Sequence, residues 1–287
     1  MIPSQNIIAW SRIVPWTDWR QVEQDLIISR ALVAVFADSE LRDQLRFRGG
    51  TALNKLHFDP PLRYSEDIDL VRTTAGPIGP ILDRLRAVLE PWLGRGQFDG
   101  SSPVAPKLFF KVEGERDSDR PIRLKLEINT RERVAFDPPI EMPFSVENPW
   151  FTDSADIVTF SIEELLATKM RALLQRNKGR DLFDLSYALN VFEQLDVDHT
   201  VELFGKYLEV SGQTISQAQA HERMFAKLAN PNFLADIRPL LSAEQAALLN
   251  ERSIKEAFAN VFSRLTCRIP GDPWQRCDEM KQRFGIE

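Results

Sequence analysis

Cysteine, histidine and long apolar runs are all scarce in this chain of 287 residues, which contains two cysteines and three histidines. The cysteines, Cys267 and Cys277, stand near one end of the sequence. With no CxxC pair and no spaced framework, neither a zinc site nor a disulfide scaffold is expected, and a reducing cytoplasm fits. His57, His199 and His221 are widely separated, which argues against a histidine-based metal centre or a Ser-His-Asp triad. No apolar stretch approaches the roughly 18 residues of a membrane span, so no membrane partner is expected. The opening "MIPSQNIIAWSR" lacks the basic start and apolar core of a secretory signal. Positive charge is in deficit as well: 36 Lys and Arg against 42 Asp and Glu give a net charge of −6. Proteins that grip nucleic acid without specificity carry a positive surplus, so any such contact here must come from a local basic patch.

The hydrophobic pattern divides the chain in two. Residues 18–36 repeat apolar positions (Val22, Leu26, Ile27, Ala31, Leu32, Val35) on one helical face. "LRFRGG" reads as a short strand ending in a turn, "TALNKLHF" as a short helix stopped by "DPP", and "DIDLV" as the next strand. A helix is expected over 78–93. "KLFFKVEG" and "RPIRLKLEIN" read as two strands around a hairpin at "ERDSD". The Pro-rich stretch 131–153 reads as irregular. From Ser161 the character becomes helical, with Ser161 and Glu164 at capping-box spacing. Further helices are expected over 180–192, 199–210, 216–229 and 242–265, and a last one is expected to open at Asp272-Pro273. The expected fold class is α+β, with a first domain over 1–155 and an all-helical second domain over 156–287.

Several residues resist explanation as ordinary surface or core. Side chains alternate along a strand, so Asp67 and Asp69 share one face and Ile68 and Leu70 the other. Two carboxylates on a partly buried face repel and are costly to desolvate. A cation should compensate them, and a pair of Mg²⁺ ions suits such a spacing. In "RLKLEIN", Arg123, Lys125 and Glu127 share a face, so Glu127 joins the aspartates if its strand pairs beside theirs. DxD alone also fits a solvated strand face, and "RLKLE" an ordinary edge strand. Gly49-Gly50-Thr51 precedes a helix start, where glycine permits close approach and free amides suit an anion; a plain capped turn is the simpler alternative. Lys169 projects from the apolar face of its helix, where it either snorkels or meets an anion, a phosphate being the natural candidate. Asp181 lies on the apolar face of the next helix and Asp184 at its margin, although Asp181 also suits a cap. Arg171, Arg176, Lys178 and Arg180 crowd the same region, as a solvated turn or a seat for phosphates.

Taken in order, "RGGTAL", "RYSEDIDLV", the inward lysine of "ATKMRALLQR" and "KGRDLFDL" resemble the AbiEii/AbiGii toxin family, minimal nucleotidyltransferases that include the MenT-type toxins of bacterial toxin–antitoxin systems. The resemblance covers roughly residues 45–192. It implies a polymerase-β-like nucleotidyltransferase domain followed by a helical one. Asp67 and Asp69 would bind Mg²⁺ or Mn²⁺, with Glu127 a candidate third acid. Gly49, Gly50, Thr51 and Ser65 would contact the NTP. Lys169 would meet its triphosphate, and Asp181 or Asp184 would supply a further catalytic acid. The implied reaction moves a nucleoside monophosphate from an NTP to an RNA acceptor, by analogy a tRNA 3′ end held by Arg171, Arg176, Lys178 and Arg180. A cognate antitoxin is the implied partner. Two alternatives stay open: transfer to a protein or a small molecule such as an aminoglycoside, and a nucleotide-binding module without catalysis.

Overall fold

A computed structural model of the chain describes residues 2–116 and 119–286. Its contacts divide into two compact units, 1–161 and 162–287.

The first unit is built on one sheet. In chain order it contains α1 (Ser4–Trp10), α2 (Trp19–Ala37), α3 (Ser39–Gln44), β1 (Leu45–Arg48), α4 (Gly49–Ala52) running into a π turn (Leu53–His57), β2 (Asp67–Arg72), α5 (Gly79–Leu93), β3 (Gln97–Asp99), β4 (Lys107–Val112), β5 (Ile122–Asn129), β6 (Ile140–Asn148) and β7 (Phe151–Thr159). The seven strands lie in the order β3-β4-β5-β2-β1-β7-β6. β2 runs parallel to β5 and β1 parallel to β7, while the remaining neighbours are antiparallel. One face of the sheet carries the core: Phe47, Ile68, Leu70, Leu108, Phe110, Leu124, Leu126 and Ile128 are buried. α2 packs across β5, β6 and β7. It is buried nearly all round, which explains why its apolar stripe is so wide. Asp18 starts it by accepting the free amides of Arg20 and Gln21.

The second unit is helical: α6 (Ile162–Gln175), α7 (Gly179–Val191), α8 (Val197–Val210), α9 (Gln217–Leu228), a 3₁₀ turn (Arg238–Leu240), α10 (Ala243–Leu248), α11 (Glu251–Arg264), a second 3₁₀ turn (Thr266–Arg268) and α12 (Cys277–Phe284). α6 packs on α7 and α8, and α7 on α11. Phe225, Phe258 and Phe262 form an aromatic cluster with centroids 5.2–5.5 Å apart.

Three expectations need correction. The stretch 131–153 is not irregular throughout, because β6 and β7 form a regular hairpin over most of it. Pro143 is tolerated because β6 is the outermost strand, where a missing N–H breaks no further ladder. The helix expected over 242–265 breaks after Leu248. Asn250 turns extended, and its side chain caps Ser253 in a reciprocal capping box. The last helix opens at Cys277, not at Asp272. Residues 272–274 stay non-helical, and Trp274 lies 6.3 Å from the Phe225 ring; tertiary packing overrides a good local cap. β4 and β5 pair as expected, but Asp117 and Ser118 of the "ERDSD" turn lie outside the described residues. Among the described residues no helix is long and apolar enough to cross a membrane.

Candidate active site

The alternation of β2 puts Ile68 and Leu70 into the core and leaves Asp67 and Asp69 on the opposite, half-buried face. Register decides what stands beside them. Asp67 faces Lys125 across the β2–β5 pair, and Asp69 faces Glu127. On the other side Arg48 faces Asp69, and Lys107 of β4 faces Glu127. Arg48, Asp69, Glu127 and Lys107 therefore form one row across four strands, with two acids flanked by two bases. Asp67 and Lys125 lie in the adjacent row.

Adjacent like charges on facing strands are unfavourable, and the surrounding cations answer them unevenly. Lys125 Nζ lies 2.8 Å from Asp67 Oδ2 and 3.3 Å from Glu127 Oε2. Lys107 Nζ lies 3.9 Å from Glu127 Oε2. Arg48 turns mainly to Glu132, at 2.9 Å. Asp69 is left with the weakest compensation. Burial pushes its carboxyl above the ordinary carboxylate range and the charge of Asp67 adds to this, while Arg48 and Lys125 pull the other way. Although Asp69 retains some accessible surface, its carboxylate is walled in by protein.

The wall is the glycine turn. Gly49 has φ +84°, and a Cβ there would stand 2.4 Å from Asp69 Oδ2. Only glycine allows both the backbone conformation and the approach of that oxygen. Gly50 is excluded from change for a second reason: its Cβ would lie 2.4 Å from Nη2 of the buried Arg63. Arg63 is tied locally, its Nη1 donating to the Tyr64 carbonyl at 3.0 Å. The Arg63 amide donates to Asn54 Oδ1, and Asn54 Nδ2 donates to the Gly50 carbonyl, both at 2.9 Å. Thr51 is buried, and its hydroxyl donates to the Asp67 carbonyl and lies 2.7 Å from Ser65 Oγ. The Thr51 hydroxyl thus locks the turn to the start of β2 rather than standing open to solvent. Lys55, in the π turn, is anchored by the buried Asp25 at 2.6 Å, which fixes the helical segment to α2.

The carboxylates suit a hard divalent cation. Their donors are all oxygens, and Lys125 already holds a positive charge against Asp67. Among the described residues no three of His, Cys, Asp and Glu converge into a ligand cluster.

In the second unit, Lys169, Asp181 and Asp184 come together, a pairing that the helical projection of each helix did not announce. All three are buried. Lys169 Nζ lies 3.2 Å from Asp181 Oδ1 and 2.9 Å from Asp184 Oδ2. The anion that the apolar face required is thus a pair of carboxylates within the same unit. Arg176 grips Asp181 through both terminal oxygens, at 2.7 and 2.8 Å. Burial alone would raise the Asp181 carboxyl, but Lys169 and Arg176 outweigh it and hold the carboxyl below its usual range. Asp181 sits inside the first turn of α7 and is bound by side chains at both oxygens; a cap does not account for it.

The basic residues have mixed surroundings. Arg171 lies over the Tyr207 ring at 5.1 Å, Arg176 serves Asp181, and Arg180 lies 3.8 Å from Asp236. Lys178 is exposed. Two residues that matter here escaped the sequence reading. Lys125 was visible as a member of the Glu127 face, but its pairing with Asp67 depends on register. Arg63 carries no local signal of its burial.

A glycine turn pressed against a strand carrying two same-face carboxylates, in an α+β unit followed by a helical one, defines a nucleotidyltransferase fold. The comparisons with known proteins agree. The family described as "Nucleotidyl transferase AbiEii toxin, Type IV TA system" matches residues 30–264. Solved structures share the fold, two of them as follows. One is MenT4, the nucleotidyltransferase toxin Rv2826c from Mycobacterium tuberculosis H37Rv, with a TM-score of 0.58, 14% identity, and coverage of 99% of this chain and 97% of that one. The other is JHP933 from Helicobacter pylori, with a TM-score of 0.52, 15% identity, and coverage of 94% and 98%. A search of curated proteins found no match. The chain belongs to the AbiEii nucleotidyltransferase toxin family of type IV toxin–antitoxin systems. A nucleotide substrate and an antitoxin counterpart follow from that membership.

Proposed function

We propose that the protein transfers a nucleoside monophosphate from an NTP to an RNA acceptor, the 3′ end of a tRNA, in a reaction that depends on Mg²⁺ or Mn²⁺. The observation that carries the metal-dependent part is the pair of same-face carboxylates, one of them under-compensated, held against a turn that only glycine can make. Divalent cations bound there would supply a lowered pKa for the attacking hydroxyl and charge to offset the departing pyrophosphate. Asp67 and Asp69 would hold them, and Glu127, in register with Asp69, would be the third acid in this reading. Gly49 and Gly50 keep the wall of the site thin, and Thr51 with Ser65 fixes its position relative to Asp67.

In the helical unit the reading gives Lys169 to the triphosphate and Asp184 to the acceptor. Asp181, gripped on both oxygens by Arg176 and Lys169 and held low, is a poor proton acceptor and acts as a positioning residue for Lys169. Lys178, Arg180 and Arg171 supply positive charge for an RNA backbone. The toxin family supports an acceptor whose blockage arrests growth, and a tRNA 3′ end fits that requirement. The net charge of −6 favours a second reading, transfer to a small acceptor.

One assay separates these. The protein is incubated with each α-labelled NTP and Mg²⁺, together with total tRNA, protein extract or small acceptors. Label migrating with tRNA supports the RNA reading. Label on protein or on a small molecule replaces it with the second reading, and no transfer to any acceptor overturns both.

A further inference from the structure

The cation beside Asp67 is not a bystander. Lys125 projects from the β5 position in register with Asp67, its ammonium lies 2.8 Å from Asp67 Oδ2 and 3.3 Å from Glu127 Oε2, and its side chain is 24% exposed. An ion at 2.0–2.1 Å from the same oxygen, the distance Mg²⁺ requires, would sit within a few ångströms of the ammonium. Two like charges at about 4 Å repel substantially even at a surface-like dielectric. The ammonium and the metal therefore cannot share that oxygen. Lysine carries its charge on a flexible four-carbon stem, and partial exposure leaves it free to swing. Glu127 cannot retain it fully, because Lys107 already attends that carboxylate from β4. The strongest anion to reach this face during the reaction is the triphosphate that arrives with the metal.

We propose that Lys125 is a resident counter-ion, displaced from Asp67 by the divalent cation and passed on to the triphosphate, so that metal and nucleotide bind cooperatively. This deepens the metal-dependent reading above and rests on it. Metal alone must compete with the lysine and binds weakly. Metal with nucleotide offers the lysine a better partner than the one it loses. The lysine thereby suppresses occupancy of the acid pair by free divalent cations and ties metal loading to the presence of substrate. The coupling falls in the usual range for linked sites, roughly 5- to 150-fold.

The test is Mn²⁺ binding to the full chain, followed by electron paramagnetic resonance and calorimetry. It is run with and without a mixture of the four α,β-imido NTP analogues, on wild type, Lys125→Met and Asp67→Asn, with thermal melts as a folding control. Lys125→Gln provides a second variant should Lys125→Met fail to fold. The expected result is opposite movement of two constants. Without nucleotide, Lys125→Met binds Mn²⁺ about tenfold more tightly than wild type, and the enhancement of Mn²⁺ affinity by the analogues shrinks at least fivefold. If Asp67→Asn weakens Mn²⁺ binding while both Lys125 variants bind it no more tightly than wild type, the role of Lys125 is overturned and the metal site stands. If Asp67→Asn leaves Mn²⁺ binding unchanged, the metal-site reading itself falls, and Lys125 is a structural ion-pair partner only.

Discussion

Each unit of this protein holds two aspartates close together, and the two pairs are treated in opposite ways. In the helical unit, Asp181 and Asp184 are completely buried, yet Lys169 touches both and Arg176 grips Asp181 through two bonds. Their charge is met within the protein, and the Asp181 carboxyl is held low. In the sheet unit, Asp67 has one cation of moderate exposure, Asp69 has no ion pair among the described residues, and burial holds its carboxyl high. The first pair is neutralised by the lysine and arginine of its own unit. The second is unfinished, on a half-buried face of the sheet, and it is the pair to which the proposed function assigns an external cation.

The sharpest way to break this contrast is to remove the unfinished pair. Asp67→Ala and Asp69→Ala should each lower nucleotidyl transfer by on the order of 10³-fold, as expected for loss of charge that stabilises a transition state. The melting temperature should stay level or rise, because repulsion is relieved. A steady-state assay beside a thermal melt checks both, and a large drop in melting temperature would assign these residues to the fold instead. Removing a member of the neutralised pair should cost stability as well as transfer. Asp181→Ala strands Lys169 and Arg176 beside a single remaining carboxylate. It should cost about 3 kcal/mol of stability, the low end for breaking a buried pair, read by chemical denaturation.

Gly49→Ala tests the geometry that joins the turn to the acid. The left-handed backbone costs about 1–2 kcal/mol for a residue with a Cβ, and that Cβ would also collide with Asp69 Oδ2. Transfer should fall further than stability alone explains, whereas Gly205→Ala, where a Cβ meets nothing within 4 Å, should leave transfer unchanged. The smallest expected effect is in the pH dependence of stability. Asp69 has a raised carboxyl pKa in the folded state, so its contribution is fully present below its ordinary value of 3.8 and is lost as pH rises through the raised value. The melting temperature of wild type relative to Asp69→Asn should therefore decline as pH climbs through that interval. Asp181, held low, has the opposite sign: its contribution is present above 3.8 and lost as pH falls through the lowered value. Wild type relative to Asp181→Asn should lose melting temperature on acidification.

Much of the first unit was legible from local pattern. The two-residue period of "DIDLV" fixes which side chains share a face, and the glycines before "TAL" announce a turn that needs them. The inward placement of Lys169 and Asp181 was legible for the same reason in the other unit, but not their partners: a phosphate was the natural candidate for the lysine, and the structure sets it against Asp181 and Asp184 instead. What local pattern missed was long-range. The β6–β7 hairpin was hidden because proline reads as a breaker unless its strand is known to be an edge. Residues 272–274 stay outside the helix that Asp272-Pro273 suggested, with Trp274 near the Phe225 ring, and nothing within a few residues announces that contact.

By itself, the sequence determined the faces: alternation along strands and recurrence along helices are set by backbone geometry, so Asp67 with Asp69, and Lys169 with its apolar stripe, were fixed before any folding was known. Only the tertiary structure decided the partners. Pairing β2 with β5 in one register sets Lys125 against Asp67 and Glu127 against Asp69, and a shift by one residue would turn the β5 pair to the opposite side of the sheet. Register between strands more than fifty residues apart depends on the packing of the whole sheet, and no short stretch of sequence contains it.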